Sequence, residues 1–192
     1  MPVINKEGFQ GRDYICLKDF LPEEISYMLK VAKELKEERK EGIPHPLLEG
    51  KILAMIFTKS STRTRVAFEA GIIQLGGQAL FLSDRDIQIG RGEPIKDTAR
   101  VLSRMVDGIM IRTHSHEDVT ELAKYADIPI INGLSDYLHP TQVLADLLTI
   151  QEHKGKLAGL KLTYIGDGNN MANSLLFAGK MGMNVVVSSP QD

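Results

Sequence analysis

The stretch KILAMIFTKSSTRTRVAFEAGIIQLGGQALFL, residues 51–82, decides the fold. Its first seven residues form a short apolar run that ends in a polar loop, a pattern typical of a buried strand. Residues 62–75 follow as a helix, which Gly76 and Gly77 bring to an end. The apolar run at residues 78–82 predicts the next strand. Two strands joined through a helix predict a parallel pair, because parallel neighbours need a crossover connection.

The same alternation extends in both directions along the chain. Upstream, residues 22–41 predict a helix that opens with Pro22 and two acids and ends before Gly42. Downstream, the pattern predicts helices at 94–106, 116–126 and 140–153 and strands at 108–112 and 128–132. This βαβα order predicts an α/β fold, a mostly parallel sheet with helices on both faces.

A second unit is predicted after Lys154-Gly155-Lys156, a plausible hinge. Residues 160–165 and 184–188 are expected strands, with a helix at about 169–181 between them. This order predicts the start of a second, Rossmann-like α/β domain, so we expect domains at 1–153 and 154–192. Two strands and one helix are fewer than a sheet normally contains, and we therefore expect the second domain to be truncated.

Composition excludes several classes of protein. The 192 residues are 43% hydrophobic and 25% charged, which is ordinary for a globular protein with a real core. A formal charge of -2 argues against a protein whose main task is binding nucleic acid. No apolar run approaches the roughly 20 residues that span a bilayer, and no signal peptide is visible. The single Cys16 is expected to be a buried structural thiol, which weakly favours the cytoplasm.

The polar segment between the first strand and its helix carries the strongest chemical signal. Free amides at a helix start bind anions, and the hydroxyls and guanidiniums here add further donors. The alternative is that Ser61 or Thr62 merely caps the helix and that the arginines are solvated. Capping alone would leave two arginines in the first turn of the helix, where the helix dipole disfavours cations. A bound anion would offset that cost, so we favour an anion site. The residues concerned are Ser60, Ser61, Thr62, Arg63, Thr64 and Arg65.

Two further segments follow predicted strands. His139 and Gln142 flank the start of a helix at Pro140, where an imidazole and an amide suit a carbonyl group better than a phosphate. A histidine beside such a turn more often has a structural role than a functional one. Arg112, at the end of its predicted strand, is explained equally well as a solvated strand end or as a group that binds a ligand. Because all three segments follow parallel strands, we expect them to meet at one edge of the sheet.

Other patterns look functional without supporting a site. His114 and His116 alternate but lack the third and fourth ligands of a zinc site, so no metal is expected. Gly166 and Gly168 follow a strand as in dinucleotide-binding proteins, but Met171 occupies the third glycine position.

In this strand–helix frame, the segments at 61–65 (STRTR) and 139–142 (HPTQ) resemble the aspartate/ornithine carbamoyltransferase family. The resemblance covers essentially the whole chain, including residues 97–104 (DTARVLSR), and residues 166–174 (GDGNNMANS) resemble the ornithine branch. It implies a carbamoyl-phosphate-binding domain at 1–153 and the beginning of an ornithine-binding domain at 154–192. The expected reaction transfers a carbamoyl group from carbamoyl phosphate to the side-chain amine of L-ornithine, giving L-citrulline and phosphate.

The resemblance also implies roles for individual residues. Arg112, His139 and Gln142 are the expected catalytic residues, because fixed donors stabilise the charge that develops on the carbonyl oxygen. Asn170 is expected to contact ornithine. Gln88, in the polar loop 83–93, is expected to reach carbamoyl phosphate across a subunit interface, which implies a homotrimer or a multiple of trimers. The full set expected to bind carbamoyl phosphate is Ser61, Thr62, Arg63, Thr64, Arg65, Gln88, Arg112, His139, Pro140, Thr141 and Gln142.

Alternatives stay open at this point. The acceptor amine could be putrescine or aspartate, and a non-catalytic phosphate-binding module would retain residues 60–65 without needing His139 or Gln142. The family's Asp-Ser-Met and His-Cys-Leu-Pro motifs lie beyond Asp192, so the chain alone is not expected to be active. No metal or organic cofactor is expected, since the substrate carries its own leaving group. The direction of the reaction, arginine synthesis or arginine breakdown, is not determined.

Overall fold

A computed structural model describes residues 6–85, 87 and 92–190. Helices and strands alternate through this part of the chain. The helices are α1 (Pro22–Glu41), α2 (Thr62–Gln74), α3 (Ile95–Leu102), α4 (His116–Tyr125), α5 (Pro140–Lys154) and α6 (Asn170–Leu176). The strands are β1 (Ile52–Phe57), β2 (Gln78–Ser83), β3 (Gly108–Arg112), β4 (Ile130–Leu134), β5 (Lys161–Ile165) and β6 (Asn184–Ser188).

The strands form two parallel sheets. Four of them lie in the order β2-β1-β3-β4, and β5 pairs with β6 in a second sheet. Phe57, the last residue of β1, is in register with Ser83 on one side and Arg112 on the other. The strand ends are therefore level, and the loops that follow them leave from one edge.

Helices cover both faces of the four-stranded sheet, as predicted. Ala54 and Ile56 of β1 point to one face, in a core with residues of α3 and α4. Met55 and Phe57 point to the other face, where Phe68 of α2 packs against them. This alternation is the period of two expected of a strand that is buried on both sides.

A third core joins α1 and α5 to the second sheet. Ile25 and Leu29 of α1 pack with Val143 and Leu147 of α5, and all four are at most 2% exposed. Leu175 of α6 belongs to the same cluster. The β5–α6–β6 unit is therefore packed firmly on the helices of the first unit, while the domain boundary at 153/154 stays a prediction.

The predicted bounds of three elements were wrong. The strand predicted at 128–132 begins only after Pro129, which has no N–H to donate, and runs on to Leu134 as β4. Gly133 lies within that strand, where a Cβ would approach Met110 Sδ to 2.6 Å, so the position has no room for a side chain. The helix predicted at 94–106 ends at Leu102, and the one predicted at 169–181 ends at Leu176, where a 3₁₀ turn takes over.

Two expectations from composition can be compared with the structure. Cys16 is 1% exposed, which confirms a buried thiol, and burial raises its pKa. None of the helices within the described ranges is both long and apolar enough to cross a membrane.

Candidate functional site

A cleft of about 460 Å³ opens at the carboxyl ends of β1, β3 and β4. The predicted meeting of the three polar segments at one sheet edge is therefore confirmed. The residues that line the cleft are Ser61, Arg63, Thr64, Ala67, Phe68, Arg112, Leu134, His139, Thr141, Gln142, Asn170 and Met171.

The first turn of α2 forms one wall of the cleft. Ser61 caps the helix, since its Oγ accepts a hydrogen bond from the Thr64 amide at 3.2 Å. The amides of Thr62 and Arg63 are in the first turn, where a helix supplies no acceptors of its own. The turn contains no acidic residue, so its positive dipole end has no local counter-charge. Capping by Ser61 is thus real but leaves the anion-binding capacity of the turn intact.

Arg112 lies at the end of β3 and faces the same turn. Its backbone carbonyl accepts from the Thr58 amide at 3.0 Å, and its Nη1 donates to Thr64 Oγ1 at 3.3 Å. Its Nε is buried and has no hydrogen-bond partner among the described residues. Burial lowers the pKa of Arg112, but a guanidinium keeps its charge in proteins. Arg112 therefore offers a partly desolvated positive charge that no carboxylate of the described residues neutralises.

His139 precedes Pro140 at the start of α5, and its side chain does not cap the helix. Its Nδ1 lies 3.3 Å from Thr141 Oγ1. Burial, and secondarily the charge of Arg112, lowers the pKa of His139 to about 4. The ring is therefore neutral near pH 7. If Thr141 donates to Nδ1, the single ring proton is on Nε2 and available as a donor.

Two side-chain amides have orientations fixed by their partners. Gln142 Nε2 donates to Asp146 Oδ1 at 3.0 Å, and Asn170 Nδ2 donates to the Ser135 carbonyl at 2.8 Å. In both cases the partner is an oxygen acceptor, so the amide nitrogen must face it. Each amide retains its carbonyl oxygen and one N–H for a ligand. The two groups can therefore both donate and accept within the cleft.

Some predicted residues lie elsewhere. Thr62 and Arg65 line a neighbouring cleft of about 690 Å³, on the other side of α2. The Arg65 guanidinium stacks 3.6 Å from the centre of the Phe81 ring. Pro140 is buried, and its carbonyl accepts from the Tyr14 hydroxyl at 3.1 Å. Gln88 lies outside the described residues.

Sequence reasoning missed two buried serines beside the cleft. Ser135 is 0% exposed and Ser174 is 2% exposed, and both bind polar groups of the cleft wall. No motif marks Ser135. Ser174 ends the segment 166–174 and stands four residues after Asn170 on α6, a helical spacing that places the two residues next to each other.

The chain matches the carbamoyl-phosphate-binding domain of aspartate/ornithine carbamoyltransferases over residues 12–152. Among curated proteins, it is 61% identical over 184 residues to the ornithine carbamoyltransferase of Carboxydothermus hydrogenoformans, covering 95% of this chain and 59% of that protein. It is 63% identical over 183 residues to the corresponding protein of Anoxybacillus flavithermus, covering 95% and 58%. The chain thus spans a little under three fifths of the length of these relatives.

Two solved structures of similar fold are also carbamoyltransferases. The ornithine carbamoyltransferase of Pyrococcus furiosus superposes with a TM-score of 0.92 at 58% identity, over 94% of this chain and 58% of that one. The catalytic subunit of aspartate transcarbamoylase from M. jannaschii superposes with a TM-score of 0.84 at 35% identity, over 94% and 61%. The fold is common to both, while the sequence is closer to the first.

Proposed function

We propose, from the premise that this chain belongs to the aspartate/ornithine carbamoyltransferase family, that it provides the carbamoyl-phosphate site of an ornithine carbamoyltransferase. One observation carries the proposal. Within a single cleft, the anion-binding turn of α2 faces the neutral His139 and the two amides of Gln142 and Asn170. A phosphate, a carbonyl and an amine-bearing substrate each find a matching group in this arrangement.

The phosphate is bound at the start of α2. The free amides of the first turn and the guanidinium of Arg63 donate to its oxygens, and charge-assisted bonds of this kind are about twice as strong as neutral ones. Arg112 approaches the same turn through Thr64 and can reach both the phosphate and the carbonyl. Arg65 stacks on Phe81 and lines the neighbouring cleft.

The carbamoyl carbonyl is polarised from the opposite wall. The neutral amine of the acceptor attacks the carbamoyl carbon, and negative charge develops on the carbonyl oxygen. Donors from Arg112, His139 and Gln142 stabilise that charge, and loss of one such donor costs on the order of 10²–10³ in rate. The bond to the phosphate oxygen then breaks, phosphate leaves with the electron pair, and the amine loses its proton to the departing phosphate. Because the substrate carries its own leaving group, we propose no metal or organic cofactor.

Ornithine is the proposed acceptor. The chain is 58% identical to the P. furiosus ornithine enzyme, against 35% to the M. jannaschii aspartate enzyme. Asn170 supplies the amide assigned to the amino-acid substrate, and it lines the cleft beside His139. A non-catalytic phosphate-binding module is disfavoured, because such a module has no need of a half-buried neutral histidine opposite the anion site.

The remaining proposals concern assembly and place of action. We propose a homotrimer, or a multiple of trimers, in which the loop at 83–93 reaches the site of a neighbouring subunit. The domains are proposed at 1–153 for carbamoyl phosphate and from 154 onwards for ornithine. We propose that the enzyme acts in the cytoplasm, in arginine metabolism.

An acceptor assay of the full-length protein tests the function. With carbamoyl phosphate present, we expect citrulline from ornithine and little or no product from putrescine or aspartate. Phosphate release should match citrulline formation one to one. Arg112→Ala serves as the inactive control. Product from another amine alone would move the assignment to that acceptor, and carbamoyl phosphate binding without any product would support the non-catalytic module.

A further inference from the structure

Helix α6 is tied to the loop that carries His139. Three α6 side chains make these bonds: Asn170 Nδ2 donates to the Ser135 carbonyl at 2.8 Å, Asn173 Nδ2 donates to the Tyr137 carbonyl at 3.2 Å, and Ser174 Oγ accepts from the His139 amide at 2.7 Å. The loop at 135–139 is thus bound along its whole length by a helix about 35 residues further along the chain.

Ser174 has the central place among these bonds. Besides accepting from the His139 amide, its Oγ donates to the Asn170 carbonyl at 2.6 Å. One hydroxyl therefore links the backbone of His139 to the backbone of Asn170. Its position is buried, at 2% exposure, so water does not replace either bond at low cost.

We infer that Ser174 is a positioning residue that holds the carbonyl-binding group His139 at a fixed distance from the amino-acid-binding group Asn170. The inference rests on the function proposed above, since it assigns each of those two residues to one of the two substrates. Transfer requires both substrates to be aligned, and a misplacement of about 1 Å can cost on the order of 10²-fold in rate. Ser174 touches neither substrate and acts through the two residues that it joins.

The first test measures the tether itself. In Ser174→Ala, the amides of the 135–139 loop should exchange with deuterium at least tenfold faster, because the His139 amide loses its acceptor. Ser174→Cys keeps nearly the same side-chain volume but accepts hydrogen bonds weakly, so it should behave like the alanine variant. If Ser174→Cys keeps the exchange protection of the unmodified protein, the hydroxyl acts through packing alone and the inference is overturned.

Ser26→Ala is the matched control. Ser26 Oγ donates to the carbonyl four residues before it, as Ser174 does, but it lies exposed on α1 and away from the cleft. This variant should leave both loop exchange and activity unchanged.

The second test is kinetic and uses the full-length enzyme. Ser174→Ala and Ser174→Cys should each lower kcat per folded site about tenfold, while carbamoyl phosphate affinity measured by calorimetry stays within twofold. A merely structural role would lower Tm and leave kcat per folded site unchanged, and that result would overturn the inference. If the unmodified enzyme forms no citrulline, the proposed function fails, whereas the exchange experiment still decides whether Ser174 holds the loop.

Discussion

Arg112 Nη1 lies 3.3 Å from Thr64 Oγ1, and this hydrogen bond joins the end of β3 to the first turn of α2. The two residues are 48 positions apart in sequence, and the register of β3 beside β1 brings them together. A cation and a helix N-terminus therefore point into the same cleft, while the Arg112 Nε remains without a partner in the described part of the chain. An anion placed there would be stabilised by both groups.

Arg63→Ala should weaken carbamoyl phosphate binding at least tenfold, since a charge-assisted hydrogen bond contributes about 1.5–3 kcal/mol. Arg63 is exposed and makes no ion pair with the described residues, so the fold should not depend on it. Calorimetry gives the affinity, and thermal unfolding checks the fold. Arg39→Ala, which removes an exposed arginine from the far end of α1, is the matched control. Unchanged affinity in Arg63→Ala would refute the phosphate assignment.

Substitution of His139 should affect turnover more than phosphate binding. His139→Ala should lose on the order of 10²–10³ in kcat, the usual effect of removing one oxyanion donor. His139→Asn retains a donor of similar reach and should keep part of the activity. The imidazole makes no capping bond to α5, so neither variant should melt much earlier than the unmodified protein. A large fall in Tm with normal turnover per folded site would instead show a structural role.

The lowered pKa of His139 predicts a loss of stability in acid. Burial and the charge of Arg112 lower this pKa from 6.5 to about 4 in the folded protein. Between those values the unfolded chain binds a proton that the folded chain does not, so the free energy of unfolding falls as the pH drops. Above about pH 6.5 the ring is neutral in both states and the effect vanishes.

Urea unfolding near pH 7 and near pH 5 measures this effect. The free energy of unfolding should fall further for the unmodified protein than for His139→Asn, which has no ring to titrate. His116, whose pKa burial also lowers, contributes equally to both proteins and cancels in the comparison. An equal fall in both proteins would place the acid sensitivity outside His139.

Complementation between subunits tests the shared site. Gln88→Ala and Arg112→Ala should each reduce activity, and hybrid trimers of the two should regain part of it, because some sites then combine intact copies of both residues. Native mass spectrometry confirms that hybrids have formed, and each variant alone provides the baseline. No recovery in a sample that contains hybrids would mean that Gln88 acts within its own subunit or not at all.

Local patterns in the sequence were sufficient for much of the fold. The short apolar run of β1 and the breaks at Gly42 and Gly76 depend on a few neighbouring residues, and they predicted strands and helices that the structure confirms. The meeting of Thr64, Arg112 and His139 was also predictable, because loops that follow parallel strands leave from one edge.

Packing between distant segments decided the rest. Arg65 follows Arg63 by two helical positions and so faces the other side of α2, but only the packing of α2 on the sheet places its guanidinium 3.6 Å from the centre of the Phe81 ring. Ser174 binds the His139 amide only because the third core seats α6 beside α5. Partial burial, together with the charge of Arg112, keeps His139 neutral. The sequence by itself determined which elements form and which residues follow the strands. Only the tertiary structure decided distances, burial and charge environment, since these depend on contacts between residues far apart in the chain.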